Sequence, residues 1–220
     1  PRVTPAEIER IKKMGVEIKT GITVGKDLSF NDLHKEGFKA IFLSVGAHRT
    51  RKLGVEGEDL KGVFDALDFL RIMNEGEKVD IGERVAIIGG GNVAIDSART
   101  ATRSGAREVT ILYRRSRDEM PANPYEIKEA EHDGVRISYL VAPKRILGQG
   151  GRVTALECVK MALGEPDETG RRAPKPIEGS EFNFPVDSVI VAIGEAPDLS
   201  FVPKDIEINE DNTVAVEPFT

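Results

Sequence analysis

Apolar residues along this chain change their spacing several times, and each change predicts an element. Ile8, Ile11 and Met14 recur at helical spacing behind Thr4-Pro5-Ala6-Glu7. That opening predicts a helix with a Thr cap, Pro at its first position, and an end at Gly15. Val16–Thr20 and Ile22–Val24 then predict short extended segments, and Phe30–Glu36 a short helix. The continuous run Ala40–Val45 predicts a buried strand ending at Gly46-Ala47. A loop is expected over Lys52–Val63, and a helix over Asp65–Asn74 with Ala66, Phe69, Leu70 and Met73 on one side.

The middle third carries the clearest pattern. Arg84–Ile88 predicts a strand, Gly89-Gly90-Gly91 a tight turn, Asn92–Ser104 a helix closed by Gly105, and Glu108–Tyr113 a second strand, making one βαβ unit. A further helix over Pro124–Asp133, capped by Asn123, leads to a strand over Val135–Val141. The acids Glu126, Glu129, Glu131 and Asp133 of that helix are expected to form a solvated face.

From Lys144 the pattern turns to a β-hairpin. Lys144–Leu147 and Val153–Met161 flank the turn Gly148-Gln149-Gly150-Gly151. Pro166–Gly179 is expected to be a loop, followed by strands over Phe182–Phe184 and Ser188–Ile193. The fold class this predicts is α/β: a Rossmann-like parallel sheet with helices on both faces, plus a small antiparallel sheet or hairpin.

Composition narrows the function classes. The 220 residues are 40% hydrophobic and 31% charged, with a formal net charge of −6. Acids and bases are interspersed, so a nucleic-acid partner is not expected. The apolar runs are too short to span a bilayer, no secretion leader is visible, and a cytoplasmic location without membrane attachment is expected. The lone Cys158 lies in the alternating run Val153–Val159 and is expected to be a packed strand residue. His34, His48 and His132 have no ligand spacing, so no metal site is expected.

Gly89-x-Gly91-x-x-Ala94, directly after a strand and opening a helix, is a dinucleotide-binding fingerprint. The first glycine permits the turn, the second leaves room for a pyrophosphate, and the small Ala94 lets helix and strand pack closely. The N–H groups of Asn92 and Val93 would then face the phosphates at the helix N-terminus. The end of the next strand selects the nucleotide. An NAD site places an acid there, whereas this chain has Tyr113-Arg114-Arg115-Ser116-Arg117. Arginines suit a 2′-phosphate, so NADPH is favoured over NADH, with Arg114 and Arg115 as its ligands.

Three stretches carry a family resemblance: Gly89–Ala101, Ile111–Ser116 and Glu119-Met120-Pro121. Together with Leu53–Asp59, Ala66-x-x-Phe69-Leu70 and Ala192-Ile193-Gly194-x-x-Pro197-Asp198, they resemble the small (beta) subunit of NADPH-dependent glutamate synthase. The NADPH half of dihydropyrimidine dehydrogenase and ferredoxin-linked transhydrogenases are similar. The resemblance implies an NADPH domain inserted in an FAD domain, with hydride passing from NADPH to FAD and electrons leaving through iron–sulfur clusters. It makes Ser44–Ala47 and Ala192-Ile193-Gly194 the crossings between domains, the latter close to where nicotinamide and flavin meet.

The family's first FAD motif would precede residue 1, and its late Gly-Asp flavin motif would follow residue 220. The chain is therefore expected to be a section of a longer parent. FAD would belong to that parent and not to these residues, which are expected to be inactive alone. The expected division is 1–60 for the flanking FAD region and crossing strand, 61–195 for the NAD(P)H domain with an antiparallel insert near 142–186, and 196–220 for the return segment. The implied partners are the FAD domain of the same chain and an iron–sulfur domain or subunit.

No proton-transfer residue is assigned, because the cofactors carry this chemistry. Glu195 is read either as touching a nicotinamide carboxamide or as a solvated strand end, and Asp96 as a structural acid in the fingerprint helix. Two other functions remain readable. One is a stand-alone nicotinamide dehydrogenase, against which Tyr125-Glu126-Ile127-Lys128 has the wrong spacing for a Tyr-x-x-x-Lys pair. The other is a non-catalytic nucleotide-sensing module.

Overall fold

A computed structural model describes residues 3–167 and 170–217; the end of the expected return segment, 218–220, lies outside them. The chain divides into two units, residues 47–196 and residues 1–46 with 197–220.

In the smaller unit, α1 spans Val3–Lys13. It starts a residue before the expected cap, so Thr4 and Pro5 both lie within its first turn. Its apolar positions Ile8 and Ile11 are exposed. Helix α2, Phe30–Lys35, begins at a reciprocal cap. Ser29 Oγ accepts from Asp32 N–H at 3.2 Å, and the Asp32 carboxylate accepts from Ser29 N–H at 3.1 Å. Phe30 stacks on Phe201 with ring centroids 6.2 Å apart.

Ala40–Val45 is not a buried strand. It pairs with nothing among the described residues, its exposure alternates, and Phe42 is 90% exposed. An apolar run becomes a strand only where a ladder partner takes its backbone groups, and the described part of this unit contains no strand. The extended stretches Val16–Thr20 and Ile22–Val24 likewise form no strand; Val24 makes an isolated bridge with Leu28.

The larger unit holds a five-stranded, all-parallel sheet. Its strands are β2 (Val63–Asp65), β3 (Arg84–Gly89), β4 (Glu108–Tyr113), β5 (Arg136–Tyr139) and β10 (Ser188–Ala192). Their order is β2-β10-β3-β4-β5, so the last of them in sequence lies between the first two. A two-stranded ribbon, β1 (Arg49–Thr50) with β11 (Glu195–Ala196), is antiparallel.

Alternation along β3 sorts its side chains between two cores. Val85 and Ile87 face α3 (Ala66–Asn74), α4 (Asn92–Arg103) and α5 (Pro124–His132), packing with Phe69, Ile95, Ala98 and Ile127. Ala86 and Ile88 face the other way, onto Ile146, Val153, Leu156 and Cys158. Those residues belong to an antiparallel sheet of β6 (Val141–Gln149), β7 (Arg152–Pro166), β8 (Arg172–Pro176) and β9 (Phe182–Pro185). The α/β class with a parallel and an antiparallel sheet stands. Within this unit, however, the helices take one face, and the antiparallel sheet fills the place expected for helices on the other.

The hairpin turn falls at Gly150-Gly151, with φ of +60° and +78°, the left-handed pair that a tight two-residue turn requires. Part of the expected loop 166–179 is strand β8, an edge strand on β7 in which Pro174 and Pro176 are tolerated because an edge can leave N–H positions unpaired. Residues 47–60, expected to flank the nucleotide domain, fall in this unit. Leu53, Val55 and Leu60 pack on the core, and Ile146 N–H donates to Glu56 O at 2.8 Å.

The acids of α5 are also less solvated than expected. Arg99 on α4 donates to Asp133 at 2.8 Å, which holds the Asp133 carboxyl below the usual range, and Arg117 donates to Glu131 at 3.0 Å. No helix among the described residues is long and apolar enough to cross a membrane.

Candidate nucleotide-binding site

A cavity of about 700 Å³ opens at the carboxyl ends of β3, β4 and β10. This is where ligands bind in open parallel sheets. It gathers the fingerprint turn Gly89-Gly90-Gly91, Asn92 and Val93, the strand end Tyr113-Arg114-Arg115, and the crossing Ala192-Ile193-Gly194. Ala94 lies behind the cavity, fully buried against the sheet.

Each fingerprint position has a distinct geometric demand. Gly89 has φ +147°, and a Cβ there would come within 2.0 Å of the Ala192 carbonyl oxygen. A Cβ at Gly90 would strike the Tyr113 ring at 2.5 Å. A Cβ at Gly91 would meet nothing within 4 Å, so the open space in front of the helix lies there. Gly91 also caps α4 without a side chain, leaving the first N–H groups of the helix with no side-chain acceptor. An anionic group fits such a cradle. The Asn92 side chain serves the frame instead, its Oδ1 accepting from Asn123 N–H at 2.9 Å.

The loop after β4 is fastened to that turn. Tyr113 OH donates to Glu119 O at 2.7 Å, and Ala122 N–H donates to Gly90 O at 3.1 Å. Burial raises the Tyr113 hydroxyl pKa, opposed by the positive charges of Arg115, Arg171 and Arg114. Sequence reasoning missed Arg171, and also Arg51 and Lys52, which line the cavity too. No local motif marks Arg171; it reaches the site through the pairing of β8 with β7. Glu195 lines the cavity, whereas Asp96 is exposed on α4 and does not. Among the described residues no group of three His, Cys, Asp or Glu side chains could hold a metal.

The two adjacent arginines differ sharply. Arg114 is exposed at the cavity edge, while Arg115 is 5% exposed. The Arg115 guanidinium donates to Asp167 at 2.5 Å and to Arg172 O at 2.8 Å.

A profile of the family described as "Pyridine nucleotide-disulphide oxidoreductase" matches residues 1–220. The chain belongs to this family. Among similar members of known description, the NADPH-Fe(3+) oxidoreductase subunit beta of Geobacter sulfurreducens is 49% identical over 96% of this chain and 32% of its own length. The NADP(+)-dependent formate dehydrogenase subunit beta of Moorella thermoacetica is 43% identical over 99% of this chain and 31% of its own length. The glutamate synthase [NADPH] small chain of Escherichia coli is 39% identical over 84% of this chain and 41% of its own.

The chain thus spans about a third of the length of the first two relatives and two-fifths of the third. Among solved structures, Mycobacterium tuberculosis FprA in complex with NADPH shares the fold, with a TM-score of 0.71 at 19% identity, covering 96% of this chain and 62% of that one. The expected relationship to the glutamate synthase small subunit therefore stands within the pyridine nucleotide-disulphide oxidoreductases.

Proposed function

We propose that residues 47–196 form the NADPH-binding unit of a flavin-dependent oxidoreductase. The observation that carries this reading is the uncapped N-terminus of α4 opening, through Gly91, into a cavity rimmed by cations. Backbone N–H groups of Asn92 and Val93 would bind the pyrophosphate, aided by the helix dipole. Arg114 would bind the 2′-phosphate, and Ala192-Ile193-Gly194 would border the nicotinamide.

A bound reduced nicotinamide would supply a hydride to an FAD that a longer parent chain would carry, with an iron–sulfur domain or subunit to take the electrons onward. The protein's task at this site is to orient the dinucleotide and shield it from water; no side chain here is required to move a proton. The names of the relatives as NADPH- or NADP(+)-linked subunits and chains support the choice of nucleotide. The absence of an acid at the end of β4 supports it independently.

Calorimetric titration with NADPH and NADH tests the reading. Tighter binding of NADPH, lost in Gly91→Val, supports it; a protein that binds neither nucleotide overturns it. In the flavin-loaded parent, anaerobic addition of NADPH should bleach the flavin, and a pure nucleotide sensor would show no bleaching.

A further inference from the structure

The tripeptide Glu119-Met120-Pro121 lies between β4 and α5, and binding a dinucleotide does not by itself call for it. The structure gives each of its residues a different place. Met120 is buried in the helix-side core, and Pro121 lines the cavity. Glu119 is buried too, yet it does not line the cavity. A buried carboxylate must have donors around it. Glu119 accepts from Ser116 N–H at 3.2 Å, from the Ser116 hydroxyl at 2.5 Å and from Arg172 Nε at 2.5 Å. Ser116 and then Arg172 hold its carboxyl below the usual range, so it is the ionised acceptor at neutral pH.

These bonds fix the course of the loop. Arg117–Glu119 make a single 3-10 turn with Ser116 as its cap, and Glu119 reaches back to the cap's N–H. The Glu119 carbonyl also accepts from the hydroxyl of Tyr113, the last residue of β4, at 2.7 Å. Side chain and main chain of one residue thus close the loop onto the strand it leaves. Only Arg114 and Arg115 stand between that strand end and Ser116. The far end of the loop is anchored separately, through Ala122 N–H to Gly90 O at 3.1 Å and Asn123 N–H to Asn92 Oδ1 at 2.9 Å.

We propose that Glu119 is a positioning residue for coenzyme choice: its clasp on Ser116 and Arg172 holds the backbone that aims Arg114 at the 2′-phosphate. The inference rests on the NADPH reading and deepens it. Ser116, by sequence a natural phosphate donor next to two arginines, is not a ligand here, because its N–H and its hydroxyl both serve Glu119. Glu119 acts through Arg114 and not on the coenzyme, since a carboxylate facing a phosphate would repel it.

The test titrates NADPH and NADH into the full-length protein and into Glu119→Ala, Glu119→Gln, Arg114→Ala and the double variant Arg114→Ala/Glu119→Ala. Glu119→Ala should reduce the preference for NADPH about fivefold, somewhat less than removal of the Arg114 contact itself. NADH binding should stay nearly unchanged, because the anchors at Gly90 and Asn92 remain. Arg172 is half exposed, so its charge stays hydrated when the partner is removed. Glu119→Gln should restore most of the preference, since glutamine can accept from the cap's N–H as glutamate does. In the Arg114→Ala background, Glu119→Ala should lower the preference no further, as expected for a residue that acts through Arg114.

Equal weakening of NADPH and NADH by Glu119→Ala would overturn the proposal, as would an undiminished effect in the Arg114→Ala background. A preference for NADPH that rises in Glu119→Ala and Glu119→Gln alike would also overturn it, and would show that the carboxylate acts on the phosphate by repulsion. An unaltered protein that binds both nucleotides without preference would overturn it and leave the dinucleotide site standing. One that binds neither would overturn the NADPH reading as well.

Discussion

Gly89 lies against Ala192 so closely that a Cβ on the glycine would sit 2.0 Å from the Ala192 carbonyl oxygen. The two residues are also register partners, Gly89 at the end of β3 and Ala192 at the end of β10. The fingerprint turn and the crossing strand are thus one packed structure, and the floor of the cavity depends on the absence of a side chain at their junction.

Two glycine variants should therefore fail in different ways. Gly89→Ala combines a left-handed φ of +147° with a backbone clash, and should lose about 3 kcal/mol of stability. Gly91→Ala has an ordinary φ of −87° and open space around its Cβ. It should change stability by less than about 0.5 kcal/mol, yet weaken nucleotide binding by intruding where the pyrophosphate would approach. Thermal melts with and without NADPH separate the two: the first variant should melt early in both, and the second should lose only the ligand-induced rise.

Asp187 ties the start of β3 to the start of β10. Its carboxylate accepts from Arg84 N–H at 2.8 Å, from Glu83 N–H at 3.1 Å, and from the Arg84 guanidinium at 2.6 Å. The Arg84 side chain, followed by the backbone donors, holds the Asp187 pKa down to about 2, against the opposing pull of burial. A carboxyl depressed on folding contributes stability that is complete above its unfolded pKa and is lost as pH falls through the folded one. The contribution should be about 2 kcal/mol, present at neutral pH and fading between roughly pH 4 and pH 2. Asp187→Asn should unfold more easily than the unaltered protein at pH 7, and the gap between them in denaturant titrations should shrink toward pH 2. A gap that is constant with pH would refute the assignment.

The parts legible in the sequence were those whose signals are local. The apolar run of β3, the glycines after it and the helical spacing of Ile95 and Ala98 lie within a few turns of one another, and together they outline the βαβ unit. What escaped was set by distant pairing. Strand β2 is three residues long and exists because β10 runs beside it. Strand β8 is masked by prolines that only its edge position permits. Ala40–Val45 erred in the opposite direction, since its hydrophobicity predicted burial without showing what would cover it. In the site, the motif Arg114-Arg115 was visible, but the partner that takes Arg115, Asp167, lies 52 positions away.

Cys158 is fully buried between the two sheets, and that burial pushes its thiol up to about 12. The thiolate is the reactive form, so the native protein should react with an alkylating agent at pH 8 far more slowly than free cysteine does. Denaturant should restore the ordinary rate. Mass spectrometry over a time course checks this, and rapid modification of the native chain would mean that the β7 core opens readily.

Arg114 and Arg115 should part company in mutagenesis despite their adjacency. Arg114→Ala removes an exposed side chain at the cavity edge. It should leave the melting temperature nearly unchanged while reducing the preference for NADPH over NADH about tenfold. Arg115→Ala removes a buried guanidinium together with its ion pair to the Asp167 carboxylate, so it should lose about 2–3 kcal/mol of stability. Its NADPH preference should fall less than that of Arg114→Ala, because the Arg115 guanidinium is engaged by Asp167 and the Arg172 carbonyl. Adding Asp167→Ala to Arg115→Ala should then cost less than the two single changes added together, because the ion pair between them is lost only once. Melting curves and paired NADPH and NADH titrations of the single and double variants check both halves. Equal effects of Arg114→Ala and Arg115→Ala on affinity, with no difference in stability, would show instead that both arginines hold the phosphate directly.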